Sequence, residues 1–279
     1  MRWPWSRSLP DEDKIEKEAL GSWANGLNKT DWKHYTEPRQ VTISVLFTLT
    51  TLALVGAYRR FLKRIPSTGH IKPESYRQRS LFGKVTSVGD GDNFRLFHTP
   101  GGRLAGWGWL PGRVVPTKRE GLREKTVHIR IAGVDAPECA HFGRPAQPYS
   151  AEALNWLTSY ILNRRVRAHI YRRDQYDRVV ATVFVRRWLL RRDVGLEMLK
   201  RGLATVYEAK YGSEFGRFES QYREAEKRAK QRKMGMWAEP SALGWLLGKK
   251  PSKNESPREY KRRMQDLEKG TAGANPASK

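Results

Sequence analysis

The chain has 279 residues and carries 53 Lys and Arg against 29 Asp and Glu, a formal net charge of +24. Such a charge favours polyanionic partners, either nucleic acid or anionic lipid, but it does not distinguish an enzyme from a basic ribosome-like or membrane-surface protein. The single cysteine, Cys139, excludes an intramolecular disulfide and a cysteine-cluster zinc site. The length allows one well-cored domain with appendages.

An uncharged segment at 41–58 follows an N-terminal polar tail at 1–40. As a helix it would span about 27 Å, close to the thickness of a bilayer core. A buried helix or a signal-peptide apolar region would give a similar run. The acid-rich leader and the lack of a small-residue cleavage pattern argue against cleavage. We therefore expect a single retained transmembrane helix at 41–58.

Basic residues crowd the C-terminal side of this segment, in a linker at 59–80. By the positive-inside tendency, the large C-terminal part stays on the side where the chain is synthesised, or in the matrix if the membrane is a mitochondrial inner membrane.

From about Leu81 the pattern becomes that of a folded domain, which we place at 81–240. Short β-branched runs alternate with helical patterns, an order typical of an α+β fold built on a small antiparallel barrel. The runs lie at 84–88, 127–134, 166–171 and 179–185, and the helical patterns at 150–162, 194–202 and 213–234. A Gly/Pro/Trp-rich stretch at 99–125 is predicted to be an inserted loop beside the barrel, near the candidate metal-binding segments that contain Asp92 and Asp135. The basic segment at 241–279 is predicted to be a disordered tail.

Two short segments concentrate oxygen ligands. In VGDGDN (88–93), Asp92 follows an Asp-Gly turn and can point into a cation site, although such a run also suits an ordinary hairpin. In IRIAGVDAPE (129–138), Pro137 stiffens a loop that carries Asp135 and Glu138. Oxygen ligands of this kind favour Ca²⁺ or Mg²⁺ over zinc, and the alternative is a charged surface turn.

Arginines accompany these carboxylates. Arg130 lies in the second segment, and Arg178 ends a third, DQYDR (174–178). A guanidinium can donate two parallel hydrogen bonds to a phosphate, which a lysine cannot match. The alternative is ordinary surface charge, since many arginines surround Arg178. Together the segments predict a metal-dependent nuclease.

With RGLATV (201–206) and MGMW (234–237), these segments resemble the staphylococcal nuclease, or thermonuclease, family from Phe82 to Glu239. The resemblance implies an OB-fold, a five-stranded β-barrel with three packed helices, here preceded by a transmembrane helix. It also implies Ca²⁺-dependent hydrolysis of phosphodiester bonds in DNA and RNA.

The resemblance assigns roles by motif position. Asp92, Asp135 and the backbone carbonyl at Ala136 would bind Ca²⁺, and Glu138 would activate the attacking water. Arg130 and Arg178 would bind the phosphate that is cleaved.

The chain departs from the family pattern in places that spare these groups. Ala136 and Asn93 each stand where Thr is common, and Asp177 stands where Gly precedes the second arginine. Exposed aromatics, Tyr176, Tyr207 and Tyr211, are expected to stack on bases of a single strand.

The membrane segment ahead of the nuclease-like domain is similar to a fungal subgroup of anchored, mitochondrial endonucleases. We therefore expect a single-pass, mitochondrial, Ca²⁺-dependent endonuclease whose partners are nucleic acid and a membrane. The competing hypothesis is a catalytically silent, membrane-tethered nucleic-acid-binding or scaffold protein on the same fold.

Overall fold

The computed structural model describes residues 37–140, 144–208, 214–238 and 255–273. The chain divides into two units, Met1–Arg60 and Phe61–Lys279. Of the polar tail expected at 1–40, residues 1–36 lie outside the described residues.

The first unit contains helix α1, Pro38–Ala57, which continues as a π-helical turn at Tyr58–Leu62. Pro38 lies in the first turn, where its missing N–H leaves no helical bond unmade. The threonines that weaken the apolar pattern satisfy their own hydroxyls, each donating to the carbonyl four residues earlier; they are Thr42, Thr48, Thr50 and Thr51. The span of 25 residues from Pro38 to Leu62 is long and apolar enough to cross a membrane, and its most apolar stretch is not buried by protein.

The second unit is built on a closed sheet. Its strands are β1 Ser80–Asp90, β2 Asn93–His98, β3 Val127–Ile131, β4 Val134–Asp135, β5 Arg165–Arg173, β6 Val179–Arg187, β7 Leu190–Asp193 and β8 Thr205–Val206. Six strands run in the order β3-β2-β1-β5-β6-β7, and β3 also pairs with β6 in parallel. The β3–β6 pairing closes five strands into a barrel and leaves β7 as an added edge strand. The predicted OB-fold is confirmed, although β2, β7 and β8 were not predicted as strands.

Helices cover the barrel. They are α2 Arg119–Leu122, α3 Ser150–Ile161, α4 Val194–Lys200, α5 Glu219–Gln231 and α6 Pro257–Gly273. The three helical patterns correspond to α3, α4 and α5, which bury Leu157, Met198 and Tyr222 in the same core as the barrel strands. Asp193 caps α4, since its carboxylate accepts from the N–H of Leu196 at 3.2 Å.

The domain begins earlier than the sequence suggested. Ile65 and Ile71, within the expected basic linker, belong to the core. The N–H of Ile65 donates to Nδ1 of buried His98 at 2.9 Å, and Arg64 donates to the carbonyl of Lys125 at 2.6 Å. Any fragment that keeps the domain intact must therefore start before Arg64.

The inserted loop lies away from the predicted metal loop, so that expectation was wrong. Asn93 pairs with Arg130 and Leu96 pairs with Val127, which places the insert at the opposite end of β2 and β3 from Asp92. Six residues of β2 amount to about 20 Å. Within the insert, buried Trp107 donates to the carbonyl of Pro100 at 3.0 Å and fixes the loop to its own base.

The C-terminal segment also differs from expectation. Residues 239–254 and 274–279 lie outside the described part, but helix α6 replaces the disordered tail between them. Ser256 and Glu259 form a capping box at its start, with bonds of 3.3 and 2.8 Å. Tyr260 and Met264 are buried, 3% and 7% exposed, one helical turn apart. The dense charge of the segment concealed this narrow apolar stripe.

Candidate active site

The β1–β2 hairpin presents the first carboxylates. Asp90 pairs with Asn93, so Gly91 and Asp92 form the turn between them. A Cβ on Gly91 would lie 2.7 Å from Cβ of Ala136, so only glycine allows the two loops to approach this closely. Asp92 is 8% exposed and is therefore directed into the protein rather than into solvent.

Strand β3 brings Arg130 between two carboxylates. Its Nε donates to Oδ2 of Asp92 at 3.1 Å, and its Nη2 donates to Oδ1 of Asp135 at 3.1 Å. The ring of Tyr207 covers the guanidinium at 4.5 Å. Burial lowers the pKa of Arg130, but Asp92 and Asp135 outweigh it and raise the pKa overall. The guanidinium is thus a fixed positive charge at the centre of the site.

Asp135 ends the short strand β4, and Glu138 lies three residues further on. The hydroxyl of Thr205 donates to the Asp135 carbonyl at 3.3 Å. Buried Gln147 holds the next loop: its N–H donates to the Glu138 carbonyl at 2.9 Å, and its side-chain oxygen accepts from the Glu138 N–H at 3.3 Å. The Glu138 side chain remains 33% exposed and can reach solvent.

Lys261 of α6 also enters this site, which sequence reasoning missed. Its Nζ lies 2.9 and 3.1 Å from the two oxygens of Asp135 and 2.8 Å from Oε1 of Glu138. Burial lowers the pKa of Lys261, but the two carboxylates outweigh it and raise the pKa overall. The capping box and the Tyr260–Met264 spacing were the available signals for a docked helix here.

Further contacts hold α6 against the loop of Glu138. The Tyr260 hydroxyl donates to the carbonyl of Pro145 in a short hydrogen bond. The side-chain amide of Gln147 donates to the carbonyl of Glu255 at 2.8 Å, so one buried glutamine connects the helix and the loop of Glu138.

Arg178 lies on the turn between β5 and β6, where Asp174 organises it. One Asp174 oxygen accepts the N–H groups of Tyr176 and Arg178 at 2.9 and 2.8 Å, and the other accepts from Nε of Arg178 at 2.7 Å. Asp177 has a φ of 59°, the backbone conformation that suits the family glycine. Its carboxylate pairs with the exposed Arg173 at 2.5 Å, so the extra negative charge is paired with a positive one.

The strand register brings Arg178 to the same end of the barrel as Arg130. Ile129 pairs with Val179 and Arg130 with Val180 in the parallel β3–β6 ladder, so Arg178, which precedes β6, lies level with His128 and two positions from Arg130 on the neighbouring strand. Burial, followed by the charges of Arg95 and Arg178, lowers the pKa of His128 to about 4. The negative charge of Asp92 opposes this shift, so Arg178 and Asp92 both lie near His128.

Asn93 connects His128 to the carboxylates. Its Oδ1 lies 3.2 Å from Nε2 of His128, and its amide donates to Asp92 at 3.2 Å. Asn93 therefore connects Asp92 and His128 through its side-chain amide.

The ligand chemistry suits a hard cation. Asp92 and Asp135 flank the guanidinium of Arg130, and Asp135 and Glu138 share the ammonium group of Lys261. The three carboxylates therefore already contact positive charge. In the described residues, no group of three or more His, Cys, Asp or Glu side chains could hold a metal ion. The predicted set has only two carboxylates and the Ala136 carbonyl, which is compatible with a Ca²⁺ site completed by water and substrate.

Two of the three tyrosines expected to stack on bases can be placed. Tyr176 is 67% exposed, with the guanidinium of Arg178 at 5.2 Å from its ring. Tyr207 instead covers Arg130. Tyr211 lies outside the described residues.

Comparison with known proteins gives a consistent assignment. The family model "Staphylococcal nuclease homologue" matches residues 128–239. A protein named "Probable endonuclease LCL3" from Pyricularia oryzae is 61% identical over 263 residues, covering 94% of this chain and 96% of its own. A protein of the same name from Sclerotinia sclerotiorum is 60% identical and covers 92% of this chain and 94% of its own. Another, from Pyrenophora tritici-repentis, is 57% identical and covers 96% of this chain and 98% of its own. The chain therefore belongs to the staphylococcal nuclease family.

Proposed function

We propose that this protein is a membrane-anchored, Ca²⁺-dependent endonuclease that hydrolyses phosphodiester bonds of DNA or RNA. Its family membership makes it a hydrolase of the nuclease class; the metal, the anchor and the residue roles are the proposal. One observation carries it: the guanidinium of Arg130 lies between Asp92 and Asp135. Glu138 lies beside Asp135, since the ammonium group of Lys261 contacts both carboxylates.

Asp92, Asp135 and the carbonyl of Ala136 would hold Ca²⁺. When bound, the ion supplies positive charge that polarises a phosphoryl oxygen. Burial of both aspartates fixes their positions, because each is less than one-tenth exposed. Preorganised carboxylates of this kind bind a cation without first having to be ordered.

Glu138 orients and deprotonates the attacking water. Its backbone is fixed by both hydrogen bonds to Gln147, while its side chain is open enough to contact a water molecule. Lys261 contacts Oε1 of Glu138 at 2.8 Å, so Glu138 would have to turn from this ammonium group towards the water in the active geometry.

Arg130 and Arg178 stabilise the negative charge that accumulates on phosphorus. Asp174 fixes the Nε edge of Arg178 and so orients the plane of its guanidinium. Charge stabilisation by positioned arginines contributes about 10³-fold or more in other phosphoryl-transfer enzymes. The exposed Tyr176 ring beside Arg178 is suited to stack on an unpaired base.

The anchor is supported by α1. The helix is apolar, long enough for a bilayer and not covered by protein in its most apolar stretch. The basic residues that follow it favour the cytosolic or matrix side for the nuclease domain, and a mitochondrial membrane follows from the resemblance noted above.

The Lys261 contact favours one alternative, a catalytically silent binding protein. An ammonium that permanently occupies the carboxylates would exclude a divalent cation. The two functions differ in one assay: a labelled single-stranded DNA or RNA is incubated with the purified fragment 61–279 and Ca²⁺, and then with a chelator. The endonuclease cleaves within the strand and stops when the chelator is added; binding without cleavage at any Ca²⁺ concentration would support the silent protein.

A further inference from the structure

The β6–β7 hairpin ends in an exposed apolar tip. The sequence at 186–192 is RRWLLRR, and pairing of Arg187 with Leu190 leaves Trp188 and Leu189 as the turn. Trp188 is 97% exposed, Leu189 is 91% exposed and Leu190 is 58% exposed. Three large apolar side chains thus project together from the domain.

This tip is poorly suited to its turn. Trp188 has a φ of 56°, a left-handed conformation that is unfavourable for a bulky residue. Two-residue hairpin turns of this kind prefer Asn or Gly at such positions. Because Trp188 and Leu189 neither favour the turn nor pack on the barrel, their contribution to folding is small.

Arginines surround the tip on both strands. Arg186 lies directly opposite Arg191, an arrangement of like charges that destabilises a strand pair. Arg187 lies over Tyr160 and Arg191 lies over Phe184, at 4.8 and 3.8 Å from the ring centroids. In the described part of the chain, none of the four arginines at 186, 187, 191 and 192 forms a salt bridge. The cluster is therefore complementary to an external anion.

We propose that this hairpin tip docks on the surface of a bilayer that contains anionic phospholipids. Trp188 and Leu189 enter the interfacial region, where an indole ring is favoured, and the arginines bind lipid phosphates above it. A tip of this size reaches only the interface and does not span the membrane. The contact goes beyond the nuclease function and adds a membrane site distinct from α1.

A nucleic-acid contact explains the tip less well. Arginines and one tryptophan suit a single strand, but Leu189 and Leu190 have no aromatic face on which a base could stack. The tip also lies at the far end of β6 from Arg178, about 30 Å along nine residues of strand. A domain docked by this tip keeps the opposite end of the barrel, with the candidate site, open to substrate.

Vesicle binding by the fragment 61–279 tests the proposal without α1, since the core described here starts at Ile65. The fragment is sedimented with vesicles of phosphatidylcholine, with or without about 30% phosphatidylserine, in a chelator that prevents cleavage and metal-bridged lipid binding. We expect binding to the anionic vesicles only. The double variant Trp188→Asn/Leu189→Gly should bind at least about tenfold more weakly, while its melting temperature is unchanged or higher because the turn is improved.

Matched variants separate charge from apolar contact. Arg186→Gln/Arg191→Gln should weaken binding on the order of tenfold. Lys227→Gln/Arg232→Gln, which removes the same charge from exposed positions on α5 and directly after it, should weaken it much less. Leu104→Asn, at a fully exposed leucine elsewhere, should leave it unchanged. Equal vesicle binding by the hairpin variant and the unmodified fragment would overturn the proposal. Binding of a single-stranded oligonucleotide is measured for the same variants. If the hairpin variant loses oligonucleotide binding but still binds vesicles, the tip is a nucleic-acid surface and the proposal is overturned.

Discussion

Lys261 donates to both carboxylate oxygens of Asp135, at 2.9 and 3.1 Å, although 126 residues separate them in the chain. The same ammonium group contacts Glu138 at 2.8 Å. A cation that belongs to the protein thus lies where the proposed ligand and the proposed base meet. If Asp135 binds a divalent cation, as proposed, that ion and Lys261 compete for the same carboxylate.

Replacing Lys261 with Met should strengthen Ca²⁺ binding by about tenfold or more, because the competing charge is removed while the stem of the side chain is kept. Calorimetric titration of the fragment 61–279 with Ca²⁺ measures this directly. Arg262→Met is the matched control, since Arg262 is exposed on the same helix. If Lys261→Met weakens Ca²⁺ binding or leaves it unchanged, Lys261 supports the site and does not compete with the ion.

Arg178→Lys should retain substrate binding and lose at least about tenfold in turnover, because lysine keeps the charge but not the planar pair of donors. Asp174 positions the guanidinium through Nε, a contact that lysine cannot reproduce in the same geometry. Steady-state cleavage and binding are compared with Arg173→Lys, an exposed neighbour that is 52% accessible. Full activity of Arg178→Lys would make Arg178 an ordinary surface cation.

Acid should destabilise the domain through His98. Burial, followed by the charges of Arg79 and Arg64, lowers the pKa of His98 from 6.5 to about 3. Between these values the unfolded chain binds a proton that the native protein does not, so stability falls as pH falls from about 6.5 towards 3, by about 1.4 kcal/mol per pH unit.

His98→Asn removes this titration and can still accept from the N–H of Ile65. Urea unfolding of the fragment 61–279 at pH 7 and pH 5 should show a loss about 2 kcal/mol smaller in the variant. An equal loss in both proteins would show that His98 does not contribute to the acid sensitivity.

Residues 41–58 should hold the full-length protein in the membrane during carbonate extraction, whereas the fragment 61–279 should be extracted. The fragment starts at residue 61 because one that starts after Ile65 would lose a core residue. Release of the full-length protein by carbonate would refute the anchor.

Protease added to sealed organelles tests the orientation. We expect the nuclease domain on the cytosolic or matrix side, because basic residues follow α1. A domain on the lumenal or intermembrane-space side would overturn the orientation alone.

The residues that sequence reasoning predicted best are those held by local structure. Asp92 lies on the turn after Gly91, and Glu138 lies on the loop after Pro137, whereas Asp135 ends the short strand β4 just before that loop. Their motifs therefore predicted where these side chains lie, while their roles in metal binding and catalysis stay predictions.

Contacts between distant segments were not predictable in this way. Nothing near Asp135 in the sequence indicates Lys261, because their pairing depends on how α6 docks. The position of the insert followed from the register of β2 against β3, which composition does not reveal. Ile65 was hidden by the basic residues around it, although it packs in the core.

The most direct test of the proposed mechanism is the single-turnover cleavage rate of Glu138→Gln. Single-stranded DNA is bound to saturation by the fragment 61–279, and cleavage is started with Ca²⁺. Glu152→Gln, an exposed glutamate on α3, serves as the control. We expect Glu138→Gln to bind the strand normally and to cleave it at least about 10²-fold more slowly, because the base is lost while the cationic surface remains. Cleavage by Glu138→Gln at the rate of the unmodified fragment would contradict the assignment of Glu138 as the base.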